Sequence, residues 1–164
     1  MKNLFLKKDK HISDGSIDSG EVVNKSEAEW KQILTREEYK VLRMKGTEPA
    51  GKGKYDKFYP SEGYFKCKAC GNPLYSAQVK FDSGCGWPAF SEHYIGAIKT
   101  KTDHTFGMRR IEILCARCDG HLGHVFEGER LTESNERHCV NSVSIQFDPK
   151  SPPEGLNQGK ILKS

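Results

Sequence analysis

The sequence predicts a mainly β chain that opens with two short helices. Three observations carry this. Two helix-start signatures stand close together before Gly46. Beyond Pro60 the chain breaks into short apolar runs separated by Gly, Asn, Asp and Pro, the texture of strands and turns. Two C-x-x-C pairs sit within that second region, each at the end of an expected strand or turn.

Each element follows from local chemistry. Residues 1–25 are polar and aperiodic and read as a disordered arm. Ser26-Glu27-Ala28-Glu29 is a capping box, in which a hydroxyl and a carboxylate satisfy the orphan amides of a helix start. The helix it opens runs to about Leu34, with Trp30, Ile33 and Leu34 on one side. Thr35-Arg36-Glu37-Glu38 repeats the signature, and the second helix passes Tyr39, Leu42 and Arg43 to a C-cap at Gly46. A Gly-, Pro- and Lys-rich loop follows to Tyr59. Expected strands are 63–68, 78–81, 96–101, 109–115 and 138–148. In the last, Cys139, Asn141, Val143, Ile145 and Phe147 share one face, and His138, Val140, Ser142, Ser144 and Gln146 the other. Pro149 ends it. The expected organisation is an arm (1–25), one domain (26–149) and a disordered tail (150–164).

Composition narrows the class. Lys and Arg exceed Asp and Glu by 26 to 22, and a net charge of +4 is far from a nucleic-acid footprint. No stretch is long and apolar enough for a membrane span. The first 25 residues lack the apolar core of a signal peptide and carry several acids, unlike an organellar transit peptide. The expected location is the cytoplasm, where thiols stay reduced.

The six cysteines divide four and two. Cys67 with Cys70, and Cys115 with Cys118, have the spacing of zinc knuckles, each followed closely by a glycine that lets the backbone close around a metal. Four thiolates fit structural Zn2+ and leave no open coordination position. A redox dithiol, buried free thiols, an iron–sulfur cluster and a disulfide scaffold are the competing readings of the same pairs.

Cys139 lies in Arg137-His138-Cys139-Val140-Asn141-Ser142. On a strand, Arg137, Cys139 and Asn141 project the same way, and a guanidinium beside a thiol favours the reactive thiolate. An ordinary core cysteine is the alternative. Cys85 stands between two glycines in Gly84-Cys85-Gly86-Trp87-Pro88 and is either a thiol able to move or a loop residue of no consequence. His121 and His124, in Gly120-His121-Leu122-Gly123-His124-Val125-Phe126, are candidate general acids or structural histidines.

Together, in this order, these motifs resemble the type B methionine sulfoxide reductases, the peptide-methionine (R)-S-oxide reductases, over roughly residues 26–148. The resemblance implies two antiparallel sheets in an open barrel-like core with helices at the N-terminus. It implies that Cys139 is the nucleophile that becomes a sulfenic acid, and that Cys85 is the resolving thiol. Trp87 matches the wall that receives the substrate methyl group, with Phe126 beside it as a second binding residue. His121, His124 and Asn141 match residues that bind and protonate the sulfoxide oxygen, and Arg137 the charge that tunes the thiolate. The expected partners are oxidised proteins or peptides carrying methionine sulfoxide, and thioredoxin as reductant. A monomer without nucleic-acid or membrane partners is expected. The rival classes are a zinc-ribbon binding module, which leaves the Trp87 loop unexplained, and a thiol redox sensor without a small substrate.

Overall fold

Helices α1 (Glu27–Ile33) and α2 (Arg36–Leu42) form where the capping boxes place them. The structure, a computed structural model, describes residues 22–161. The Ser26 hydroxyl accepts from the Glu29 amide, and the Glu29 carboxylate accepts from the Ser26 amide at 2.7 Å. Thr35 and Glu38 repeat the exchange. Trp30 and Leu42 turn inward and are almost wholly buried, whereas Ile33, expected beside Trp30, points to solvent. The end of α2 also differs from expectation. The helix stops at Leu42, and the left-handed residue is Lys45, at φ 60°, rather than Gly46. Gly46 is needed for space: its amide donates to Lys40 O, and a Cβ there would sit 2.9 Å from that oxygen.

Eleven strands follow among the described residues, all paired antiparallel. β1 (Tyr64–Cys67), β2 (Pro73–Ser76) and β10 (Ile145–Asp148) make a three-stranded sheet ordered β10-β1-β2. β3 (Lys80–Phe81), β4 (Ala89–Phe90), β6 (Ile98–Asp103), β7 (Arg110–Cys115), β8 (His121–Glu127) and β9 (Glu136–Val140) make a six-stranded sheet ordered β3-β4-β9-β8-β7-β6. β5 (His93–Tyr94) and β11 (Gln158–Gly159) form a separate ribbon. The two main sheets do not close into a barrel. Their shared core is aromatic: Phe65 meets Tyr55, Phe58, Phe90 and Phe147 at ring separations of 5.2–6.4 Å.

The single strand expected over 138–148 is broken in two. β9 ends at Val140, residues Ser142–Ser144 form a 3-10 turn, and β10 crosses into the other sheet. The cause is a buried carboxylate from the loop after α2. Glu48 accepts from the amides of Ser142 at 2.9 Å and Val143 at 3.0 Å, taking donors a continuing ladder would use. Similarly, the strand expected at 78–81 is shortened to β3 by a 3-10 turn at Ala77–Val79.

The ends are partly docked. Val23, within the expected arm, donates its amide to Arg117 O. Residues 150–161, expected within a disordered tail, carry β11, and Leu156 and Ile161 pack against the core. Residues 1–21 and 162–164, which hold the rest of the arm and tail, lie outside the described residues.

Candidate active site

Antiparallel register places chemistry in rows across the six-stranded sheet. Glu112 pairs with His124, His124 with Cys139, and Cys139 with Ala89. Phe126 pairs with Arg137 one row along, on the same face. A cavity of about 230 Å³ opens over these rows. Every residue assigned a catalytic or substrate-binding part from the sequence lines it: Cys85, Trp87, His121, His124, Phe126, Arg137, Cys139 and Asn141.

Cys85 arrives from the loop between β3 and β4. Gly84 and Gly86 take φ of 77° and 96°, left-handed turns that glycine adopts without strain. They bring the Cys85 sulfur 3.5 Å from that of Cys139, both as free thiols. At that separation either thiol can donate a hydrogen bond to the other. The contact with Cys139 pulls Cys85 down to about 5 against the effect of burial. The same contact, then burial, pushes Cys139 up. Arg137 pulls both thiols down, and the Cys85 thiol also donates to Trp87 O at 3.3 Å. Arg137 is itself committed: Nε and a terminal nitrogen donate to the Glu129 carboxylate at 2.8 and 3.0 Å, and its guanidinium lies 4.4 Å from the Phe126 ring centre.

Each histidine is held by a buried carboxylate. His121 Nδ1 lies 2.6 Å from Glu112 Oε2, and His124 Nε2 lies 2.7 Å from Asp103 Oδ2. Burial draws His124 below the ordinary histidine range, with Asp103 opposing. Asp103 is held far below the usual carboxylate range, because bonds from His124, the Thr105 amide and hydroxyl, and Lys45 outweigh its burial. Asn141 lines the cavity, but its amide is used within the fold: Oδ1 accepts from the Glu48 amide at 3.0 Å and Nδ2 donates to Leu122 O at 3.1 Å. Trp87 is fixed through Nε1, which donates to Glu48 O at 3.0 Å.

Glu48, Asp103, Glu112 and Glu129 were not singled out from the sequence. Only Glu112 carried a visible signal, as an acid alternating with Ile111 and Ile113 on an expected strand. The other three depend on contacts made across the fold.

The four remaining thiols form a second cluster. The sulfurs of Cys67, Cys70, Cys115 and Cys118 all lie within 4.8 Å of one another. Cys67 is 3.7 Å from Cys118, and Cys70 is 3.6 Å from Cys115. A tetrahedron with zinc–sulfur bonds of about 2.3 Å has edges of about 3.8 Å, so the set has the dimensions to hold such an ion. The Asn72 side-chain amide approaches Cys115 Sγ at 3.6 Å, as a donor suits a thiolate. Gly71 closes the first turn at φ 83°. In the second, Asp119 takes the left-handed role at φ 64°, and Gly120 is required by packing instead: a Cβ there would sit 3.0 Å from Leu42 and 3.3 Å from the Cys118 sulfur.

A dithiol facing two carboxylate-bound imidazoles, on a sheet tied by a four-cysteine cluster, defines a thiol oxidoreductase type of site. Residues 34–149 match the SelR domain model. The chain is 57% identical over 129 residues to peptide methionine sulfoxide reductase B5 of Arabidopsis thaliana, covering 78% of this chain and 91% of that one. It is 54% identical over 132 residues to peptide methionine sulfoxide reductase B4 of the same plant, covering 80% and 93%. It is 56% identical over 135 residues to the chloroplastic reductase B3 of Oryza sativa subsp. japonica, covering 82% of this chain and 58% of that longer one. The chain belongs to the SelR domain family, the type B methionine sulfoxide reductases.

Proposed function

We propose that this protein reduces the R epimer of methionine sulfoxide, chiefly in polypeptides, to methionine. The observation that carries the reading is the 3.5 Å approach of Cys85 and Cys139 inside a cavity that also holds two histidines and Trp87. The Cys139 thiolate attacks the sulfoxide sulfur while an imidazolium, His124 or His121, protonates the oxygen, on which charge builds. The S–O bond leaves the substrate as its oxygen passes to Cys139, giving methionine and a Cys139 sulfenic acid. The Cys85 thiol then attacks the Cys139 sulfur, its proton leaves with the hydroxyl as water, and a disulfide forms. A dithiol reductant, for which we propose thioredoxin, returns both thiols with two electrons.

Trp87 and Phe126 supply the apolar wall for the methylthio end. With oxygen and methyl fixed on different sides, one chiral form of the sulfoxide fits. Cys67, Cys70, Cys115 and Cys118 would hold zinc, which supplies a structural cross-link between the sheets. The reading extends to a monomer in the cytoplasm, where reduced thiols persist, with 26–149 as the reductase domain.

The test is turnover of a racemic methionine sulfoxide peptide with dithiothreitol, the residual substrate being resolved by chirality. Consumption of the R epimer alone is expected. Full activity in Cys139→Ser, or equal consumption of both epimers, would overturn the reading.

A further inference from the structure

We propose that Lys45 is a positioning residue that sets the proton affinity of His124 from behind two carboxylates that it bridges. Lys45 leaves the end of α2 at φ 60°, a backbone conformation uncommon for a lysine. Its ammonium lies 3.0 Å from Asp103 Oδ1 and 3.6 Å from Glu112 Oε1. The other oxygen of each carboxylate faces a histidine: Asp103 Oδ2 meets His124 and Glu112 Oε2 meets His121. One cation therefore sits at the back of both acid–imidazole pairs. Both carboxylates are almost fully buried, while the Lys45 side chain is 36% exposed.

The inference rests on the histidines acting as acids, as proposed above. With its Nε2 proton given to Asp103, a neutral His124 has only an acceptor left at Nδ1 and can protonate a sulfoxide oxygen only as imidazolium. The proton affinity of His124 thus decides how much enzyme is competent near neutral pH. The charged and titratable groups around it are Asp103 on β6, Arg110 and Glu112 on β7, His121 on β8, Arg137 and Cys139 on β9, Cys85 from its loop, and Lys45. Arg110 lies 3.7 Å from Asp103 and also draws His124 down, but among the described contacts it makes no bridge to Glu112. Without the Lys45 charge the carboxylate facing His124 would be less compensated, and protonated His124 would be favoured.

The experiment compares full-length wild type, Lys45→Met and Lys45→Arg. The His124 ring is titrated by NMR, its signals assigned with His124→Gln, and the alkaline limb of the kcat/KM profile is measured on a methionine sulfoxide peptide. In Lys45→Met the His124 pKa should rise by about half a unit or more, and the alkaline limb should move up with it. Lys45→Arg should stay close to wild type. An unchanged His124 titration in folded Lys45→Met overturns the proposal, as does an equal shift in Lys45→Arg. If Lys45→Met does not fold, Lys45→Gln is read in the same way. The ring titration needs no turnover, so it judges Lys45 even if the sulfoxide reading fails.

Discussion

The sulfur of Cys85 lies 3.5 Å from that of Cys139, across 54 positions of sequence, and the contact pushes the Cys139 thiol up. On the proposed mechanism, the thiol that would resolve the intermediate also makes its partner a weaker nucleophile while the two are in contact. Two left-handed glycines flank Cys85, so the contact is a property of one loop.

Replacing Cys85 by alanine removes the largest influence raising Cys139 and leaves burial opposed by Arg137. The pKa of Cys139 should fall, and alkylation by iodoacetamide should accelerate near neutral pH. Stoichiometric methionine release, about one per enzyme, should persist, whereas turnover with a protein dithiol should be lost. A Cys139 alkylation profile that does not move would show that the contact is not what holds the proton.

A different group governs stability in acid. His93 is buried, and its pKa is drawn down to about 4, chiefly by burial and then by the nearby His138. The folded state favours neutral His93, while the unfolded chain binds a proton below about 6.5. The stability contributed is whole above pH 6.5 and is lost as pH falls towards 4, by about 2–3 kcal/mol in total. Urea unfolding at pH 7 and pH 4.5 should show this loss, and His93→Phe should flatten it. An identical pH slope in the variant would exclude His93 as the source.

Gly123 faces the backbone of β9. A Cβ there would collide with the carbonyl oxygen of Cys139. Gly123→Ala should force β8 and β9 apart and cost roughly 3 kcal/mol or more. Thermal unfolding measures the loss, and activity should drop with it because His124 and Cys139 are register partners.

The cysteine cluster should behave as a staple. Stripping metal with a chelator under denaturing conditions should leave a chain that does not refold cooperatively until Zn2+ is returned. Gly120→Ala, which crowds Leu42 and the Cys118 sulfur, should lower stability by about 1–3 kcal/mol. Metal content by elemental analysis and Tm report the two effects separately.

What the sequence made legible was what depends on neighbours in the chain. The capping boxes at Ser26 and Thr35 and the two C-x-x-C pairs are short-range patterns, and all four hold. β8 escaped notice because His121-Leu122-Gly123-His124 carries two histidines and a glycine, residues poorly suited to a strand on local preference. Tertiary pairing with β7 and β9 overrides that preference. The break between β9 and β10 was hidden for the opposite reason: Val143, Ile145 and Phe147 continue an alternation that suits one long strand, and only Glu48, 94 positions before Ser142, interrupts it. The residues that line the cavity could be picked out through motifs, but the carboxylates beside them could not, since a buried acid and its partner need no fixed spacing.

The transverse row Glu112–His124–Cys139 makes strand pairing itself a determinant of chemistry. A slip of β9 by one residue against β8 would turn Cys139 to the opposite face and bring a neighbour, His138 or Val140, into its place. Acid and nucleophile would then stand on opposite sides of an otherwise intact sheet. Misfolded molecules of that kind would be inert without being unfolded, and an assay of folded protein would count them as enzyme.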